Sequence, residues 1–161
     1  MSSSSTRAAW QTMQILWGAL CASHLILAGV LWFVRFGPDA TPPEGTPPPL
    51  FLPLFGALAF GEGVASFLLP RFLFQQTLQK QNIRGAPSEE QLRRLLPAAQ
   101  TTLILGMALC ESISILGLVL GFLGAPPLHF APFFAAGLLL ALPRFPSEAW
   151  LRAQLSDVRT L

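Results

Sequence analysis

Hydrophobic and polar positions divide the chain into four apolar runs, near residues 13–34, 50–69, 101–123 and 130–142, each bounded by prolines or charges. A helix rises about 1.5 Å per residue and the hydrocarbon core of a bilayer is about 30 Å thick, so a run of about 20 apolar residues predicts one crossing. The fourth run is short and contains Pro132, so it must borrow flanking residues to cross. The pattern predicts an all-α integral membrane protein of four transmembrane helices, with little chain left for a soluble domain.

The segments between the runs carry their own signals. Residues 1–6 contain four serines and predict a polar tail without order. Residues 37–49 hold six prolines in thirteen positions, which excludes helix and predicts an extended external connection. Residues 71–85 read as a polar extension of the second helix, with a turn at Gly85-Ala86-Pro87. Ser88-Glu89-Glu90-Gln91 then has the form of a capping box, so a helix should start there, bend at Pro97 and run on as the third span. Pro143 and Pro146 interrupt the fourth helix. Ser147 can cap a last one, whose Trp150, Leu151 and Leu155 share a side and predict an amphipathic segment on the membrane face.

Composition agrees with a membrane protein: 52% of residues are hydrophobic and 11% charged, against about 25% charged in an ordinary soluble domain. The distribution of cations sets an expected orientation. Arg7, Arg71, Lys80, Arg84, Arg93, Arg94, Arg144, Arg152 and Arg159 fall on one side of the four spans, and Arg35 alone on the other. The excess of Lys and Arg on the cytoplasmic side predicts a bacterial inner-membrane protein with both termini cytoplasmic. The first run is too long for a signal-peptide core and is read as an uncleaved span. No basic stripe suggests nucleic acid. Cys21 and Cys110 both fall mid-span, where a thiol serves as a small packing residue. The histidines are isolated, and no nucleotide, metal or nucleophile motif is present, so the expectation is a non-enzyme without cofactor or metal.

Residues 19–33, ALCASHLILAGVLWF, align without gaps on residues 108–122, ALCESISILGLVLGF, with nine of fifteen positions identical. The sequence LLPRF ending at Phe72 likewise resembles ALPRF ending at Phe145. These matches predict a duplicated two-helix hairpin, with spans one and two repeated in the same direction as three and four. The single membrane domain, 1–161, then divides into a first repeat at about 10–72, a cytoplasmic loop at about 71–97, a second repeat at about 98–145 and a tail at 146–161.

Within the spans the candidate chemistry rests on few residues. Glu111 lies near the middle of the third. An ionised carboxylate there costs on the order of 3 kcal/mol on insertion scales, so such a group faces the bundle interior, finds a partner or keeps its proton. Its counterpart in the first repeat is Ala22, which makes the acid an asymmetric feature. Glu62 is a second intramembrane acid, either functional or a hydrogen-bonding group at a helix crossing. His24 is either a neutral hydrogen-bonding side chain or a proton-exchanging partner of one of these acids. Ser114 lies on roughly the same face as Glu111 and can hydrogen-bond it. Ala57, Gly61 and Ala65 at four-residue spacing, and Gly117 with Gly121, predict close helix packing.

The segment from Gly106 to Leu120, GMALCESISILGLVL, resembles the carboxylate-bearing helix of the c subunit, or proteolipid, of rotary ATP synthases. The resemblance implies that Glu111 binds and releases a transported proton or cation, and that copies of the chain assemble with one another. Glu62, His24 and Ser114 are the other candidates for such an ion site. The competing expectation is a non-transporting accessory or assembly subunit of a membrane complex, whose intramembrane polar residues hold helices together. Partners are thus the lipid bilayer and either further copies or other membrane subunits.

Overall fold

The computed structural model describes residues 3–38, 40, 46–80, 89–147 and 151. All regular structure among them is helical: α1 is Ser3–Phe36, α2 Phe51–Lys80, α3 Glu89–Phe122 and α4 Pro127–Ala141, followed by a 3-10 turn at Leu142–Arg144. Four of these stretches are long and apolar enough to cross a membrane, the shortest being Pro127–Arg144. The fourth span therefore does borrow its flanks, using the prolines at its start and the 3-10 turn at its end.

Helix α1 begins earlier than its composition suggests. The serines at 3–5 continue the helix instead of forming an unstructured tail, because extending a helix already nucleated adds one hydrogen bond for each residue fixed. Helix α2 runs to Lys80, as its polar extension predicts. The turn at Gly85–Pro87 and the Ser88 cap lie outside the described residues, but α3 starts at Glu89, directly after that cap position. Residues 46–48 of the proline-rich connection are not helical; most of the rest of that connection lies outside the described residues.

Helix α3 is the centre of the bundle. In its apolar stretch 44% of residues are buried, against 6% in α2. Helices α1, α2 and α4 all pack on it, and α4 touches both α1 and α2, whereas α1 and α2 make little or no contact with each other. The order around α3 is therefore α2, α4, α1, and then an open side between α1 and α2. Two apolar clusters fill the two ends of the bundle. One joins Met13 of α1, Phe74 and Leu78 of α2, and Leu95 and Leu103 of α3. The other joins Leu31, Leu120, Ala125 and the α4 rings Phe130, Phe133 and Phe134. These groupings make α1 and α3 parallel and set α2 and α4 against them, an up-down-up-down topology.

Small residues decide which side of α3 is covered. Gly106, Cys110, Ser114, Gly117 and Gly121 recur at spacings of four, four, three and four, and all are buried. A methyl group added at Gly117 would stand 2.7 Å from Phe133 Cβ, and one at Gly121 would run into Leu31. From the α4 side, a Cβ on Gly137 would stand 2.7 Å from Cys110 O and closer still to Ser114 Oγ. The seam lets α4 and α1 approach α3 to backbone contact, the usual device where no water drives helices together. At its end α3 closes on Gly124, whose φ of 93° only glycine adopts freely. Ala125 N donates to Leu120 O at 3.0 Å and Gly124 N to Gly121 O at 3.1 Å, a Schellman closure.

The predicted duplication does not reappear in the packing. The structure shows no repeat: α3 and α4 pack along their length, while α1 and α2, their sequence counterparts, are held apart by α3. The last predicted segment is described only at Leu151, which is fully buried in the cluster with Met13 and Phe74 instead of facing a membrane surface.

Candidate functional site

Most hydroxyls in the bundle are satisfied by their own helix. Ser23, Ser66, Thr102 and Ser112 donate to the carbonyl three residues back, and Thr77 and Thr101 to the one four residues back. Such back-bonded side chains carry no site of their own.

The densest polar cluster was not among the residues singled out from the sequence. Arg144, at the end of the fourth span, turns its guanidinium inward between α2, α3 and α4. Nη1 donates to Gly106 O and to Cys110 Sγ at 3.0 Å; Nη2 donates to Ser66 O at 2.8 Å and to Ser66 Oγ at 2.9 Å. The group also lies over the ring of Phe67, 4.9 Å from its centroid. Each element contributes for a local reason. Pro70 in α2 lacks an N–H, so the carbonyl of Ser66, four residues back, has lost its usual donor. Arg144 supplies one. Gly106 provides the space: a Cβ there would stand 3.0 Å from Arg144 Nη1. In the sequence Arg144 stands out only as one of the cations that orient the chain; the available signal is a proline inside α2 together with an arginine at the end of α4.

At the opposite end Arg35 does similar work. Its Nη1 donates to Gly121 O, which also accepts from Gly124 N, and Nη2 to Ala125 O at 3.4 Å, placing a cation at the carbonyl end of α3. Its Nε is buried without a partner. Helix α1 further holds the end of α4 through Trp17 Nε1 to Ala141 O at 3.1 Å and Gln14 Nε2 to Pro146 O at 3.4 Å. Trp17 also packs edge-on against Phe145 at 5.1 Å.

The four candidate ion-binding residues separate into two sets. His24 is 1% exposed and Ser114 fully buried, and both border Gly137. The imidazole Nδ1 lies 2.7 Å from Leu20 O, which as a carbonyl can only accept, so Nδ1 donates to it. Nε2 and Ser114 Oγ are both buried without hydrogen-bond partners. Glu62 and Glu111 do not join them.

The expectation that Glu111 faces the bundle interior is corrected. Among the described residues no carboxylate is buried, and Glu111 is half-exposed. It falls in the stripe of Ile104, Ala108, Ile115, Val119 and Phe122, all exposed, on the open side of α3. The physical reason is the small-residue seam, which commits the opposite side of α3 to α4. Glu62 is half-buried, and its Oε2 is occluded but unpaired. Gly63 beside it faces Leu140 of α4, so Glu62, about 100° back around the helix, sits on the side of α2 turned away from α4. Of the packing candidates, Gly117 and Gly121 lie in the seam. Ala57 and Gly61 are exposed, and a Cβ on Gly61 would meet nothing; Ala65 is half-buried. Among the described residues no group of three or more His, Cys, Asp or Glu side chains could hold a metal ion.

Comparison of the chain with protein-family models, with curated proteins and with solved structures finds no match, the proteolipid family included.

Proposed function

We propose that the chain is a non-transporting membrane protein, an accessory or assembly subunit that works within a membrane complex. The observation that carries this reading is how its intramembrane polar side chains are used: Arg144, Arg35 and Trp17 each donate to backbone carbonyls of another helix. They hold the bundle together. No hydrogen bond or ion pair links Glu62, Glu111 and His24 to one another or to Arg144, so these side chains form no linked set of exchanging groups within the bundle.

Gentle extraction from the native membrane and measurement of native mass test the reading. The expected result is a complex well above the 17.4 kDa of one chain, with Glu111 labelled by a hydrophobic carbodiimide to the same extent with and without added cations. A monomer whose Glu111 labelling is blocked by protons or a particular cation would overturn it in favour of exchange at that carboxyl.

A further inference from the structure

His24 and Ser114 meet at one point inside the bundle, and each keeps a polar atom there without a partner. His24 is 1% exposed and Ser114 fully buried. A Cβ on Gly137 of α4 would stand 3.0 Å from His24 Cδ2, the ring carbon next to Nε2, and closer still to Ser114 Oγ. Nε2 and Oγ are both occluded and unpaired. Ser114 is the exception among the described serines and threonines of the four spans, since every other one donates to a carbonyl of its own helix. The packing of α1 on α3 explains why the two residues face each other. These helices are parallel, and Leu31 packs on Gly121, where an added Cβ would stand 2.9 Å from Leu31 Cγ. Seven residues back on each helix, two turns along nearly the same face, are His24 and Ser114.

We infer that Ser114 Oγ and His24 Nε2 join in a hydrogen bond between helices, and that this bond fixes the register of α1 on α3. Nδ1 already donates to Leu20 O, so Nε2 is the ring position left for another helix. A hydroxyl both donates and accepts, which matches Nε2 whether the ring is neutral or charged. The side chains already converge on Gly137, so rotation about their own bonds is the movement the contact requires. Arg35 ties α1 to the end of α3 through a long side chain that can follow a shift. Elsewhere along this pair the packed residues are apolar, and apolar layers resemble one another from turn to turn. One polar layer in such a pair is satisfied in a single register, the best attested use of a buried polar contact. A slip of one turn would set His24 against Leu118 or against Cys110, whose sulfur already accepts from Arg144.

Nitrogen NMR of the full chain, labelled in histidine and held in bilayers, reads the bond directly. His24 Nε2 should resonate as a hydrogen-bonded nitrogen, and Ser114→Ala should shift that signal while leaving His129, at the start of α4, in place. A free Nε2 in the parent, or a signal that Ser114→Ala leaves unchanged, would overturn the bond. An engineered disulfide reads the register two turns away. Leu31 Cβ is one bond beyond Cγ, so Leu31→Cys with Gly121→Cys puts two β carbons at a separation that a disulfide spans, about 3.5–4.5 Å. In native membranes the two should cross-link within one chain. Ser114→Ala or His24→Leu should lower the equilibrium yield by about five-fold, equivalent to about 1 kcal/mol, and both together should lower it no further. Losses that multiply would overturn the pairing, and yields equal to the parent's would overturn its control of the register. The accessory role stands under every one of these outcomes, because the pair lies inside a single chain.

Discussion

Arg144 shows how a charge inside an apolar bundle can be held without an opposite charge. Its two terminal nitrogens meet four acceptors, two of them backbone carbonyls, and the planar fork of guanidinium fits that divergent set in a way an ammonium does not. Arg144→Met should lower stability by about 1–3 kcal/mol, the cost of leaving buried acceptors unsatisfied, measured by unfolding in mixed detergent micelles. Arg144→Lys should recover only part of the loss. Gly137→Ala tests the seam at the same scale. Its methyl would press on Cys110 O, a backbone atom that cannot swing aside, so a loss of about 1–3 kcal/mol is expected from overpacking. At this scale the sequence was least informative. An acid in an apolar run announces itself by composition, so Glu111 and Glu62 were found; an arginine just after the last span looks the same whether it faces water or turns inward. Only the partner positions, Pro70 and Gly106, distinguish the two cases, and they lie on other helices.

The helices themselves were legible because length and apolarity are one-dimensional properties. The four runs correspond to α1 to α4, and α3 begins at Glu89, next to the position where the capping pattern predicts a start, although Ser88 itself lies outside the described residues. Which face of each helix is covered was not legible. Exposed and buried positions in a membrane helix are both apolar, so hydrophobic periodicity, decisive in water, is nearly silent here. Residue size was the surviving signal. It identified Gly117 and Gly121 in the seam, yet the same rule applied to Ala57 and Gly61 points to an exposed face. The coupling between α2 and α4 offers a test on elements instead of residues. Pro70→Ala restores an N–H opposite Ser66 O, so the helix no longer needs the donor that Arg144 provides. In that background Arg144→Met should cost less than in the parent, with a coupling energy of about 0.5–2 kcal/mol in a double-mutant cycle. Additive losses would mean that the guanidinium is not there to complete α2.

For the molecule as a whole, the sequence gives the number of spans and leaves their arrangement open. A duplicated hairpin suggested two equivalent pairs, but α3 packs on all three other helices and the pairs are not equivalent. The asymmetry extends to the end of the bundle that carries Lys80 and Arg94. There α1, α2 and α3 share a core of Met13, Phe74, Leu78 and Leu95 with Leu151, a residue well past the last span. A chain held only by its apolar spans would not need that contact. If the far segment closes the bundle, Leu151→Ala should destabilise it by about 2–4 kcal/mol, as expected for a fully buried leucine. Leu128, 81% exposed at the start of α4, is the matched control: Leu128→Ala should change stability by less than about 0.5 kcal/mol. Limited proteolysis of membrane vesicles gives a second readout, because releasing Leu151 frees the segment after Ser147, and cleavage there should precede any cut within α2 or α3. Equal effects of the two substitutions, with no change in cleavage order, would make the spans sufficient by themselves and leave the final segment outside the folded unit.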